Sequence, residues 1–168
     1  LIQLAKEKGA RVFTTTGSPE KAEIALGFGA DEVILYEDID FSEKILDLTK
    51  GEGVDVVFDS VGKTTIDGSI NCTKFLGTVA LFGDASGVMP PLETRKLATK
   101  CIKLTRVGLF PFVANHAAIK KRCDELFDLY NTKKLKPLVA PVRPLSEVAD
   151  VLAELESRST TGKLLLRP

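Results

Sequence analysis

Cysteine, histidine and net charge are all scarce in this 168-residue sequence, which has three cysteines, one histidine, and 23 lysines and arginines against 23 acids. Cys72, Cys101 and Cys123 are odd in number and far apart, which argues against a disulfide framework and for buried, inert thiols in a reducing compartment. A zinc site needs about four closely spaced N, S or O ligands. No two cysteines are paired and His116 stands alone, so no metal site is expected. Zero net charge, with lysines mixed among acids, leaves no electrostatic footprint for duplex nucleic acid or an anionic membrane. A local basic site stays open. No apolar run approaches the ~20 residues of a bilayer span, and no charged-then-apolar leader opens the chain. Cytoplasm or an organelle lumen is favoured.

What is present is ordinary globular usage, 44% hydrophobic and 27% charged, enough for one sizeable core. Leu1 opens in the middle of an amphipathic pattern that ends at Gly9, so the chain is expected to be a fragment. Arg11–Thr16 reads as a strand, and Ser18 followed by Pro19 marks a helix start reaching Gly29. Glu32–Tyr36, Val54–Phe58 and Thr78–Phe82 are further strands, separated by helices over Phe41–Thr49 and Thr64–Cys72. That alternation has the spacing of βαβ units and predicts a parallel, doubly wound sheet of the α/β class. Beyond Gly87 come a strand over Ile102–Arg106, a helix capped by Asn115 and running to about Tyr130, a Pro-interrupted stretch from Leu135, a helix over Ser146–Glu156 and a strand over Lys163–Leu166.

Ligands of open α/β sheets bind beyond the carboxyl ends of the strands, so the residues after each strand carry the information. An NAD-specific site places an acid after the strand that here ends in Thr15-Thr16-Gly17-Ser18, and this stretch has none. Lys21, in the first turn of the following helix, opposes the helix dipole unless an anion sits there. Ser18 and Lys21 could bind a 2′-phosphate; equally, Ser18 is an ordinary cap and Lys21 a solvated residue offset by Glu20. Asp59-Ser60-Val61-Gly62 and Gly83-Asp84-Ala85-Ser86-Gly87 read, on their own, as turn chemistry. His116 is a first-turn surface residue, and Asp47, Asp55 and Asp59 lie on different elements, so no acid/base pair is implied. Leu126, Phe127 and Tyr130 are expected in the core, and Lys133, Lys134 and Lys136 form a solvated helix end.

Taken in order, Gly9-Ala10-Arg11-Val12, Ser18-Pro19-Glu20-Lys21-Ala22, Gly29-Ala30-Asp31, Gly53 through Gly62, Phe82-Gly83-Asp84-Ala85-Ser86-Gly87 and Ser157 through Lys163 resemble one family over nearly the whole chain. It is the zinc-free, zeta-crystallin-like quinone oxidoreductases of the medium-chain dehydrogenase/reductase superfamily. The resemblance implies a Rossmann-type sheet lacking its first strand and glycine-rich turn over residues 1–134. Residues 135–168 would return to a GroES-like substrate domain.

The same resemblance implies NADPH as cofactor and hydride transfer to a quinone or activated α,β-unsaturated carbonyl, in a cytoplasmic homodimer. Enoyl-thioester reductases, and crystallin or RNA-binding relatives that keep NADPH, are its alternatives; a methyltransferase-type domain is more distant. By position, Lys21 and Tyr36 would contact the 2′-phosphate with Ser18 nearby. Asp59, Ser60, Val61 and Gly62, with Phe82, Gly83 and Asp84 on through Gly87, would line the adenosine-to-nicotinamide path, and the segment from Thr105 and Arg106 to Leu109 would lie close to the nicotinamide. The family more often has Asn at Asp84, and Pro-Ser at Val107-Gly108. No residue is nominated as catalytic.

Overall fold

In the computed structural model, residues 1–37, 39–157 and 160–168 are described. After α1 (Ile2–Glu7), β1 (Phe13–Thr16) pairs in parallel with β2 (Glu32–Leu35), the two joined by α2 (Pro19–Gly27). A second sheet, also all parallel, has the order β3 (Val54–Asp59), β4 (Thr73–Leu81), β5 (Lys103–Arg106). Its links are α3 (Phe41–Leu48) from β2, α4 (Ile66–Asn71) and α5 (Arg95–Ala98). In the doubly wound order 3-2-1-4-5-6, β2 and β1 take the third and second places and β3 to β5 the fourth to sixth. No described strand takes the first place, so β1 and β3 each keep one unpaired edge among the described residues.

Local chemistry explains where the helices begin. Ser18 is extended and accepts from the Lys21 amide, with Pro19 at the first helical position; proline suits that place because its missing N–H would go unpaired there anyway. Asp40 caps α3 by accepting from the amides of Ser42 at 2.7 Å and Glu43 at 3.3 Å. Asn115 accepts from the Ala118 amide at 2.9 Å and starts α6 (His116–Asn131).

The core has two buried nuclei, Ile66, Ile70, Val79 and Ile102 in one, Ile34, Ile45 and Cys72 in the other. Val57 of β3 packs against both and so ties the two pieces of sheet together. Its neighbours Val56 and Phe58 point the other way and are 46% and 57% exposed, unusual for a parallel strand, which is ordinarily covered on both faces.

Several expectations are corrected. β4 starts at Thr73 rather than Thr78, because Thr73 pairs with Val54 and the register then slips, with Leu76 at φ 60°. That irregularity, ending in Gly77, reads in sequence as the strand's beginning. Leu126, Phe127 and Tyr130 are exposed, not core: α6 packs chiefly on a 3-10 turn at Phe110–Val113 and buries none of its residues. Cys72 is buried, but Cys101 is exposed and Cys123 intermediate, since Cys101 ends the short turn after α5 at φ 50°.

The chain closes with α7 (Val148–Glu156) between two strands, β6 (Arg143–Pro144) and β7 (Leu166–Arg167), which pair in parallel. Lys163 makes only a single bridge, to Val139, so the terminal strand lies later than Lys163–Leu166. Arg158 and Ser159 of the tail motif lie outside the described residues. Residues 134–136 dock on α1: Gln3 exchanges two hydrogen bonds with the Lys136 backbone, and Lys134 pairs with Glu7. Among the described residues no helix is long and apolar enough to cross a membrane.

Candidate functional site

The carboxyl ends of β1 and β2 meet at one loop. The Tyr36 amide donates to the Thr16 carbonyl at 3.2 Å, and the Tyr36 hydroxyl folds over Gly17. A Cβ added at Gly17 would stand 2.8 Å from that oxygen, so any side chain there would push the phenol away. The next residue, Ser18, accepts from the Lys21 amide at 3.4 Å through its hydroxyl, and its carbonyl accepts from Thr16 Oγ1 at 3.3 Å. The structure thus brings Ser18, Lys21 and Tyr36 to one helix N-terminus, where backbone N–H groups favour an anion.

Two acids approach the same loop, which reading along single strands does not show. The Glu20 carboxyl is held below the usual carboxylate range, first by the Ser18 hydroxyl and then by its own amide. Glu37 Oε1 lies 3.5 Å from the place of a Gly17 Cβ. The β1 end itself carries no acid, as read from the sequence, yet acids from α2 and from beyond β2 flank it.

A second group forms where β3, β4 and β5 end. Asp59, the last residue of β3, is 4% exposed. Its Oδ1 accepts from the amides of Val61 at 2.8 Å and Gly62 at 3.0 Å; Thr65 Oγ1 reaches both carboxylate oxygens at 2.9 Å, and Ser69 Oγ donates to Oδ2 at 2.8 Å. The loop above is laced to the loop after β4. The Ser60 carbonyl accepts from the Ala85 amide, and the Val61 carbonyl accepts from both the amide and the hydroxyl of Ser86. Ser86 Oγ in turn accepts from the Thr64 amide at 3.1 Å. A Cβ at Gly83 would stand 2.4 Å from the Ser60 carbonyl oxygen, so this close approach of two backbones requires glycine.

Arg106, ending β5, closes the group. Its Nη1 donates to Asp84 Oδ1 at 3.0 Å and to the Gly83 carbonyl at 3.3 Å, and its Nη2 to Asp84 Oδ2 at 2.5 Å. The Phe82 amide donates to the Asp59 carbonyl at 2.8 Å while the residue stays 42% exposed. Ser60, Val61, Gly62, Phe82, Gly83, Asp84 and Arg106 are therefore contiguous. Thr105 flanks them from within β5, opposite Ala80. Asp59 and Ser86, which lie within the two segments that the resemblance implies, organise this group; on the sequence alone, an Asp or Ser one to three residues before a glycine is indistinguishable from an ordinary turn.

An open, parallel, doubly wound α/β domain with its polar loops at the strand carboxyl ends is the class that fold and site define. The sequence model of the family described as zinc-binding dehydrogenase matches residues 1–127, and the chain belongs to that family. It is 32% identical over 166 residues to a probable quinone oxidoreductase of Schizosaccharomyces pombe, covering 99% of this chain and 50% of that protein. It is 35% identical over 170 residues to a 2-haloacrylate reductase of Burkholderia sp, covering 100% and 51%. Among solved structures, Escherichia coli quinone oxidoreductase complexed with NADPH superposes with a TM-score of 0.92 at 34% identity, over 99% of this chain and 52% of that one. A mycobacterial protein complexed with NADPH gives 0.93 at 38% identity, over 100% and 53%. The chain spans about half the length of these relatives and corresponds to the C-terminal half of the quinone oxidoreductases.

Proposed function

We propose that this chain is the NADPH-binding part of an oxidoreductase that delivers a hydride to a quinone or another activated α,β-unsaturated carbonyl. The observation that carries the reading is the loop where Tyr36 lies on Gly17 beside Ser18 and Lys21, at the end of a strand with no acid of its own. Ser18, Lys21 and Tyr36 would hold the 2′-phosphate. Ser60, Val61, Gly62, Phe82, Gly83 and Asp84 would line the path toward the nicotinamide, with Thr105 and Arg106 near its end. Gly62 and Gly83 let the two loops close backbone to backbone, since a Cβ at either would lie 3.2 or 2.4 Å from the other loop, and together they would form the floor of the cofactor path.

NADPH, when bound, supplies the hydride; the protein's part is to orient donor and acceptor and keep water out. The relatives' names support the acceptor class. The reading includes a division at residue 134, with 135–168 serving the substrate domain, a cytoplasmic homodimer, and catalysis without zinc. An enoyl reductase is the second reading, supported by likeness to the solved CurK enoyl reductase at a TM-score of 0.82 and 26% identity.

The test is a melting experiment with NADPH, NADH and S-adenosylmethionine, since a ligand of the native state raises the melting temperature by mass action. NADPH should raise it most. No shift with NADPH, or a larger one with S-adenosylmethionine, would refute the cofactor. Consumption of NADPH with an ortho-quinone but not with an enoyl thioester, by the protein carrying its substrate domain, decides between the two acceptors.

A further inference from the structure

We infer that Asp59 is a positioning residue: its buried carboxylate holds the Val61 and Gly62 amides and so sets the shape of the loop that the proposed cofactor contacts. The inference rests on the NADPH reading for what the loop touches, but the control of the loop by Asp59 stands on geometry alone.

A carboxylate that is almost fully buried is costly unless each lone pair finds a donor. Here the donors are two amides and two hydroxyls, and no described Lys or Arg makes an ion pair with it. Successive amides converging on one anion make an anion nest; in this protein the nest is filled by the chain's own side chain. Two consequences follow. The Val61 and Gly62 amides are turned inward and are not offered to a phosphate, and the Ser60, Val61 and Gly62 carbonyls are taken by Ala85, by Ser86 and by Thr65 and Ile66, so the loop meets a ligand through its shape rather than through free backbone groups. The loop's path is also fixed from two sides, by Asp59 below and by Ser86, whose hydroxyl grips the Val61 carbonyl at 2.8 Å.

The chemistry of the donors distinguishes an isosteric change from a truncation. Asp59→Asn keeps one oxygen for the two amides, and its NH2 can face the Thr65 and Ser69 hydroxyls, which accept as readily as they donate. Asp59→Ala takes the acceptor from the Val61 and Gly62 amides and the Ser69 hydroxyl and leaves Thr65 Oγ1 with the Gly62 carbonyl at 3.3 Å.

The experiment measures amide hydrogen exchange at Val61 and Gly62 together with NADPH affinity, at a temperature where circular dichroism shows each variant folded. Asp59→Ala should speed exchange at both amides and weaken NADPH by about tenfold, the upper range of one ordinary hydrogen bond. Asp59→Asn should stay within about threefold of the wild type, less than the loss of one ordinary hydrogen bond. If Asp59→Ala does not fold, Thr65→Val removes one hydroxyl from the carboxylate and should give a partial effect in the same direction on both readouts. Unchanged exchange in the folded variant, or unchanged NADPH affinity with faster exchange, overturns the inference: a carboxylate with only a structural role would lower the melting temperature and leave affinity alone. Failure of the wild type to bind NADPH would instead refute the cofactor reading, and the exchange rates would still judge Asp59.

Discussion

Arg106 and Asp84, on neighbouring strand ends, form a two-pronged ion pair with contacts of 3.0 and 2.5 Å. Both side chains keep solvent contact, 54% and 33% exposed, so the pair contributes only about 0–1 kcal/mol to stability. Its effect is geometric, because it fixes the Arg106 guanidinium against the loop after β4. Arg106→Ala should therefore barely move the melting temperature but weaken NADPH by about tenfold or more, the value of one charge-assisted hydrogen bond. Calorimetric titration alongside a melting curve checks this; equal affinity in the variant would remove Arg106 from the site.

The cap of α3 gives a pH-dependent prediction. Asp40 is held below its ordinary value, first by the Ser42 hydroxyl and then by the Ser42 amide. Its folded pKa lies below its unfolded one, so the stabilisation is present above about pH 4 and is lost as pH falls through the folded value. Asp40→Ala should cost about 1 kcal/mol at pH 7. The gap between variant and wild type should narrow as the pH falls below about 4 and through the folded value, where the wild-type carboxyl takes up its proton. Urea unfolding at pH 7 and over a series of lower pH values measures it, and a constant gap throughout would contradict the assignment.

The three thiols should separate by reactivity. Burial pushes the Cys72 thiol up to about 11, so it holds almost no thiolate at pH 8 and is shielded as well. Cys101 is exposed and Cys123 half-buried. A disulfide reagent at pH 8 should titrate Cys101 first, Cys123 more slowly and Cys72 only after denaturant. Cys101→Ser should abolish the fast phase, and rapid labelling of Cys72 in the native protein would contradict its place in the core.

Much of the fold was legible because it rests on local chemistry. Ser18 with Pro19, and Asn115, start their helices where capping rules place them, and β-branched runs such as Val54–Phe58 became strands. What failed needed information from elsewhere in the fold. Helical spacing shows that Leu126, Phe127 and Tyr130 share an apolar face but not what covers it. The start of β4 was hidden by its slipped register after Thr73. In the candidate site, Asp59 to Gly62 and Phe82 to Gly87 were visible as strand ends, whereas the partners of the Asp59 carboxylate were not. Asp59 acquires its partners from four positions up to ten residues ahead, and only folding brings those together. The approach of Glu37 to Gly17 likewise depends on β2 lying beside β1.

The central claim is that the loop under Tyr36 recognises a 2′-phosphate, and calorimetric titration of NADPH and NADH into the wild type and Lys21→Ala tests it most directly. The account predicts that the wild type prefers NADPH by about tenfold or more, the contribution of one to two charge-assisted contacts, and that Lys21→Ala cuts the preference toward parity by weakening NADPH alone. Equal or tighter binding of NADH by the wild type, or a preference that Lys21→Ala leaves intact, would contradict it.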